Sequence, residues 1–324
     1  MKDRENIGQT VTTVVVALAV AVLIVLGIVL SDSFLSQVQM DTMKVILAVC
    51  IVSILYCFIT GEIVKNYSQM DKLWSILPVI YSWIIAVRSG MNLRIVIYAL
   101  IVTAWGIRLT INFARKGAYS IRFWEGVEDY RWSIVHASPV FKSKIAWSCF
   151  NLFFISTYQN LLVLAICFPA LASMESQLPI GIWDIVSFVL ALAFLTLETV
   201  ADEYQWRFHS KKKELLAKEG DLSKIAKPYD LGFNTTGPWG YMRHPNYLGE
   251  QGIWMSLYLV CIGAGVTSCG IFHWSMTGPL LLILLFLASS NLAEKISQEK
   301  YPLYREYIST VYKYIPVRRF NSRS

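Results

Sequence analysis

The stretch "GYMRHPNYLGE" at residues 240–250 gathers Arg243, His244, Asn246 and Glu250 directly ahead of an apolar run from Ile253 to Ile262. Burying such groups beside hydrocarbon is costly unless something pairs with them. Pro245 suits the first turn of a helix, where its missing N–H costs nothing. On that helix Asn246, Gly249 and Glu250 share one face at i, i+3 and i+4, with Tyr247 inside the same string. Glycines at 249 and 252 permit close backbone approach. Arg243 and His244 stand at the helix N-terminus, whose free N–H groups and partial positive charge favour anions. A ligand with phosphate at one end and an amide or ribose at the other satisfies the set. A structural Arg243–Glu250 lock is the alternative.

Three further clusters carry polar groups where lipid is expected. In "LETVADEYQWRFHSKKK", Glu198, Asp202, Gln205 and His209 fall at steps of 4, 3 and 4 and share one helix face. They read either as a solvated helix end or as a polar stripe facing a cytosol-open cavity. Glu198 is the most informative, because an apolar stretch precedes it. In "INFARKGAYSIRFWEGVEDYRW", Asn112, Arg115 and Lys116 precede Glu128, Asp129, Arg131 and Trp132. This is an amphipathic interfacial segment or a lid over a site. In "NLAEKISQEKYPLYREYISTVYKYIP", Glu294 closes an apolar run, and Tyr301, Tyr304 and Tyr307 recur every three residues as interfacial anchors or ligand stackers. The four histidines form no H-x-x-H or H-x-x-x-H pair, which argues against a histidine-rich di-iron hydroxylase or desaturase and against a zinc membrane protease. The six cysteines (50, 57, 149, 167, 261 and 269) form no C-x-x-C pair and read as buried, inert thiols.

The elements that must position these groups are transmembrane helices. The 324-residue chain is 55% hydrophobic and 16% charged, too apolar for an ordinary soluble domain. Apolar runs near 11–30, 44–60, 73–88, 93–112, 145–168, 182–200, 246–264 and 271–290 predict seven or eight spans. The fold class is therefore all-α, a polytopic membrane helical bundle forming one domain over 1–324. Basic residues concentrate after spans four and six and in the tail, whereas 169–181 and 263–272 contain no Lys or Arg. The positive-inside rule then places both termini and all three basic segments in the cytoplasm. The formal charge of +7 lies on that face, available to anionic lipid or to an anionic cytosolic ligand.

Taken together, "DKLWSILP" (71–78), "WGIRLTINFARKG" (105–117), "EDYRW" (128–132), "ADEYQWRF" (201–208), "RHPNYLGE" (243–250) and "EKYPLYREY" (299–307) resemble the steroid 5α-reductase-like membrane family, particularly its DUF1295 branch. The resemblance covers about 71–316 in the expected order. It implies a helical membrane fold with a cytosol-open NADPH pocket, and hydride transfer to an activated C=C bond of a lipid-like substrate. It assigns Asp202, Asn246 and Glu250 to the cofactor, with Arg243, His244, Tyr247 and Glu294 in the same site. Asn112, Arg115, Gln205, His209, Tyr301 and Tyr304 complete the candidate cofactor-binding set, with no metal ligand. Glu62 matches the glutamate that meets the substrate carbonyl in steroid reductases. The tyrosine partnering that glutamate falls at Ala104 or Trp105, leaving Tyr98 as the nearest substitute. Such a donor is needed to stabilise a developing enolate oxygen. Two other classes share features of the chain: an S-adenosylmethionine-dependent isoprenylcysteine-type methyltransferase, and a non-catalytic membrane lipid-binding protein. The expected partners are a lipid-like small molecule and the bilayer of the endoplasmic reticulum or a bacterial inner membrane, with neither nucleic acid nor an obligate protein partner.

Overall fold

A computed structural model describes residues 2–31, 35–267, 270–317 and 319–320, with side chains from residue 13 onward. Cys269 lies outside the described residues. The helices, in order, are α1 (Lys2–Val29), α2 (Gln37–Val64), α3 (Gln69–Leu73), α4 (Leu77–Arg88), α5 (Leu93–Ala114) and α6 (Tyr130–His136). They continue with α7 (Lys144–Phe150), α8 (Gln159–Ala165), α9 (Phe168–Ser173), α10 (Ile182–Glu219), α11 (Pro245–Tyr258), α12 (Val260–Gly263), α13 (Thr277–Lys300) and α14 (Tyr304–Thr310). A π-helical segment, Asn151–Tyr158, joins α7 to α8.

Local sequence explains where several of these begin. Ser36 and Gln39 close a capping box at the start of α2, and the Asn92 side chain accepts from the Arg94 amide at the start of α5. Among the described residues five helices are long and apolar enough to cross a membrane: Gln37–Val64, Leu93–Ala114, Lys144–Ser173, Ile182–Glu219 and Trp274–Lys300. Two expected spans are shorter than the apolar runs suggest. The run at 73–88 breaks between α3 and α4, with Pro78 in the first turn of α4, leaving 12 helical residues, or about 18 Å. The run at 246–264 breaks at Leu259, between α11 and α12.

The chain packs as two compact units. The larger comprises Val15–Phe188 and Met255–Leu282; the smaller comprises Met1–Val14, Val189–Trp254 and Ile283–Ser324. In the larger unit α2 is patterned for lipid. It buries Thr42, Ile46, Cys50, Ser53, Cys57 and Gly61 at helical spacing and exposes Val45, Val52, Leu55, Ile59 and Ile63. Small and polar residues face the protein while large aliphatics face outward, the reverse of a water-soluble helix. Cys149 departs from the expected buried thiols, since it is exposed. Trp105, Tyr81, Tyr98, Ile46 and Ile85 form the packed interior.

Glycines permit close backbone approaches here. A Cβ at Gly106 would stand 2.6 Å from the Ser75 carbonyl, and one at Gly278 would stand 2.1 Å from the Ala165 carbonyl. Gly278→Ala is expected to lower stability by about 1–3 kcal/mol or more, because backbone rather than a flexible side chain occupies the space. Gly181→Ala, whose Cβ has nothing nearer than 4.0 Å, serves as the silent control in the same thermal-unfolding assay.

Two of the strings that carry the resemblance meet in this unit. The Trp132 indole donates to Asp71 at 2.7 Å, and the Asp129 amide donates to Ser68 Oγ at 2.9 Å. The Tyr67 amide donates to Glu128, and Arg131 pairs with Asp129 at 2.8 Å. Burial holds the Asp71 carboxyl above the usual carboxylate range, although Arg131 pulls the other way. Segment 66–72 is thus the anchor for the segment that follows α5.

Candidate functional site

The smaller unit brings together most of the residues whose chemistry the sequence advertises. Along α10, Glu198 and Asp202 are buried, and Gln205 and His209 are partly buried. The helix continues unbroken to Glu219, so the stripe lies in its middle rather than at a fraying end. α11 crosses α10 at the two glycines. A Cβ at Gly249 would stand 2.6 Å from Glu198 Cβ, and one at Gly252 would stand 2.4 Å from the Phe194 ring. That approach brings the first turn of α11 to the stripe, where Asn246 Nδ2 donates to Asp202 Oδ1 at 3.2 Å. One turn on, Gln205 Nε2 donates to His209 Nε2 at 3.0 Å. Glu250 of α11 is buried, 5% exposed.

The loop before α11 covers this part of α10. The Trp239 indole donates to the Ala201 carbonyl at 2.8 Å, and a Cβ on Gly237 (φ +55°) would stand 2.5 Å from the Tyr204 ring. Asn234 is buried, its Oδ1 accepting from the Thr236 amide and hydroxyl at 2.9 and 2.7 Å. Three carboxamide atoms here are buried without a hydrogen-bond partner: Asn246 Oδ1, Gln205 Oε1 and Asn234 Nδ2.

Arg243 and His244 are organised by Glu294 of α13. Arg243 Nε donates to Glu294 Oε1 at 2.9 Å and Nη2 to Oε2 at 3.4 Å. Its Nη1 donates to the Ile308 carbonyl at 3.0 Å and the Val311 carbonyl at 2.5 Å. Four of its five N–H groups are thereby engaged. His244 Nε2 lies 2.8 Å from Glu294 Oε1; a carboxylate only accepts, so Nε2 carries the proton. Burial holds the His244 pKa below the ordinary imidazole value, against the pull of Glu294, so the ring is neutral at pH 7. Lys313 stands 3.8 Å from Glu294 Oε2 and donates to Ser290 and Asn291 of α13. Burial lowers the Lys313 pKa too, with Glu294 opposing. The Arg243 and His244 amides donate to the Tyr312 and Lys313 carbonyls, both at 3.1 Å, stitching the tail beside the start of α11.

In place of the alternative pairing of Arg243 with Glu250, Arg243 pairs with Glu294, 51 residues away. An Arg243 whose donors are spent on Glu294 and two carbonyls orders the polypeptide itself. His244 stacks on Tyr247 at 5.2 Å, and Tyr247 meets Phe286 edge-on at 4.7 Å, so this tyrosine fixes the first turn of α11.

Tyr301 and Tyr304, expected among ligand-binding or interfacial residues, belong to a core. With Leu231, Phe233, Tyr307, Val311 and Phe320 they form a buried cluster around Phe233, whose ring lies 5.9, 4.9 and 5.3 Å from Tyr301, Tyr304 and Tyr307. Their three-residue spacing marks the face that covers Phe233.

In the larger unit, Asn112 Oδ1 accepts from Arg115 Nε and Nη2 at 3.0 and 2.7 Å, a local i, i+3 pair. Glu62 accepts from Asn151 at 2.9 Å, Ser148 at 3.1 Å and Lys65 at 3.3 Å. Tyr98 is fully buried and donates to the Ile166 carbonyl at 3.2 Å. Asn151 and Ile166 lie 15 residues apart on one helical rod, about 22 Å at 1.5 Å per residue. Glu62 and Tyr98 therefore do not form a joint site; helix direction puts them at opposite ends of the bundle. Lys313, Asn234 and Ser290 escaped the sequence reading, since no periodic pattern distinguishes them from solvated tail, loop and helix residues.

The comparisons with known proteins bear on the same residues. The sequence model of the family described as "Protein of unknown function (DUF1295)" matches residues 57–311. The chain is similar to "Uncharacterized protein C594.04c" of Schizosaccharomyces pombe (strain 972 / ATCC 24843), with 35% identity over 287 residues, 82% of this chain and 79% of the relative. No solved structure matches. The family match encloses the anchored segment 66–72, the α10 stripe, the first turn of α11 and Glu294, and the chain belongs to the DUF1295 family.

Proposed function

We propose that this protein is a membrane-embedded, NADPH-dependent oxidoreductase that reduces an activated C=C bond of a lipid-like substrate. The observation that carries the reading is buried, unpaired hydrogen-bonding capacity: Asn246 Oδ1, on the residue that meets Asp202, Gln205 Oε1 three residues further along α10, and Asn234 Nδ2 in the loop before α11. An unpaired buried polar group costs about 1–3 kcal/mol, so such a set is retained where a ligand supplies the partners. Two acceptor oxygens and one donor nitrogen suit a molecule rich in amide and hydroxyl groups. Nicotinamide carboxamide and ribose have that chemistry, and the resemblance of "ADEYQWRF" and "RHPNYLGE" to steroid 5α-reductase-like proteins points the same way. Bound NADPH would supply the hydride. Asn246, Asp202, Gln205 and Asn234 would hold it, and Glu294 would keep the start of α11 in place through Arg243 and His244. By the positive-inside rule, the basic residues that follow the stripe along α10 support a cytosolic orientation for this region, the side that supplies the nucleotide.

Purified protein is expected to be protected from thermal unfolding by NADPH more than by S-adenosylmethionine at equal concentration. Saturation at about 100 times Kd corresponds to about 2.7 kcal/mol. Asn246→Ala should weaken NADPH binding roughly 2- to 12-fold, the range for one ordinary hydrogen bond. Stronger protection by S-adenosylmethionine would instead indicate a methyltransferase, and protection by neither would indicate a lipid-binding protein.

A further inference from the structure

The segment between α5 and α7 holds a loop whose construction has no role in the nucleotide reading. Residues 123–126 present four consecutive carbonyls to the body of the larger unit, and each accepts from a buried side chain. Lys72 Nζ donates to the Phe123 and Glu125 carbonyls at 2.8 and 2.6 Å. Gln69 donates to the Trp124 carbonyl at 2.9 Å, and Asn66 to the Gly126 carbonyl at 3.0 Å. Lys72 and Gln69 are fully buried, and Asn66 is 8% exposed. The Val127 amide closes the loop on the Gly117 carbonyl at 2.9 Å. Gly126, at φ +111°, allows this because a Cβ there would stand 2.1 Å from the Ala118 carbonyl.

A backbone held this way has little freedom, and it turns its apolar side chains outward. Ile121 is 106% exposed, Trp124 45% and Val127 60%. α6 extends the same pattern. Trp132 is buried against the body, and His136, exposed at the edge, stacks on Trp147 at 4.1 Å; Tyr130 and Ile134 are exposed. Water gives no reason to rigidify an exposed isoleucine and tryptophan. The loop leaves one membrane-crossing helix and leads into the next, so connectivity holds it at the bilayer boundary. Residues 115–144 carry six basic side chains against three acidic ones. Arg122 at the tip has a single exposed partner, Glu125 at 3.2 Å.

We propose that residues 121–127 form a preformed wedge that inserts Ile121, Trp124 and Val127 into the adjoining leaflet, with Arg122 meeting the headgroups of anionic phospholipids. The aromatic ring sits at headgroup depth, the aliphatic tip lies below it, and the base stays at the phosphate level. The fixed backbone means that no ordering of the loop is needed on insertion.

The test uses the full chain carrying Cys149→Ser, Cys269→Ser and Ile121→Cys with a nitroxide label, reconstituted into vesicles. Ile59→Cys, on the exposed face of α2, is the lipid reference, and Lys218→Cys, exposed on α10, is the aqueous one. The label at 121 should resemble the lipid reference in being reached by oxygen more readily than by a water-soluble nickel chelate. Exchanging phosphatidylcholine for a mixture with about a third phosphatidylglycerol should move it deeper, as a basic group at an anionic surface favours contact roughly fivefold. Arg122→Glu should abolish that shift. A label as accessible to nickel as that at 218 would overturn insertion. Insertion of equal depth in both vesicle types would overturn recognition of anionic headgroups.

Discussion

Glu294→Gln is expected to destabilise the ligand-free protein by about 3–5 kcal/mol, the usual cost of removing one partner from a buried ion pair. One carboxylate, 1% exposed, serves Arg243 at 2.9 Å, His244 at 2.8 Å and Lys313 at 3.8 Å. Removing its charge leaves the buried Arg243 guanidinium without a counter-charge and takes one from the half-buried Lys313 ammonium. It also loosens the tail, because Arg243 holds the Ile308 and Val311 carbonyls. The measurement is the thermal midpoint in detergent at a fixed scan rate, without nucleotide. Arg243→Met should fall by less, because Glu294 keeps the His244 N–H and the Lys313 ammonium. The double variant Arg243→Met with Glu294→Leu should lose less than the sum of the singles, since each single leaves a charge that the double removes. An unchanged midpoint for Glu294→Gln would mean that the cluster does not hold the α11 start. The same experiment separates architecture from ligand binding, because Asn246→Ala should leave that midpoint near wild type.

Arg94→Leu should cost as much again, in the larger unit. Arg94 Nε and Nη2 grip Asp184 at 2.6 and 3.0 Å, with the two residues 1% and 0% exposed. Nη2 also donates to the Pro179 and Gly263 carbonyls at 3.2 and 3.0 Å, and the Gly181 amide donates to Asp184 at 2.9 Å. Gly263 lacks a side chain where a Cβ would stand 2.6 Å from the Asp184 carboxylate. Without Arg94 the carboxylate keeps one amide partner and no counter-charge, a loss of about 3–5 kcal/mol. Arg94→Leu combined with Asp184→Leu should recover part of it. Recovery is the decisive readout, because a lock that acts only through packing would show the two losses adding.

What the residues alone determined is everything that rests on local period. The apolar runs mark the helices, the 4-3-4 spacing of Glu198, Asp202, Gln205 and His209 marks one face of α10, and Gly249 and Gly252 mark where another helix comes close. Helix geometry dictates these within a few turns of chain. The break before Pro78 was written there too, although the apolar run masked it.

The tertiary structure decided the partners. Arg243 faces Glu294 rather than Glu250 because the tail, stitched to residues 243–244 through Tyr312 and Lys313, brings the end of α13 to the start of α11. Tyr301, Tyr304 and Tyr307 became core because a loop some 70 residues earlier places Phe233 beneath them. Glu62 and Tyr98 parted because Glu62 lies near the end of α2 and Tyr98 near the start of α5, and the two helices run the same way: Gln39 and Asn92, at their starts, both meet the 172–176 segment, whereas Glu62 meets Asn151 far along the rod from Ile166. Arg94 and Asp184, 90 residues apart, stand in the first turns of α5 and α10, and no local pattern links them. A periodic pattern says which way a side chain points; which distant group it meets depends on how the intervening chain packs.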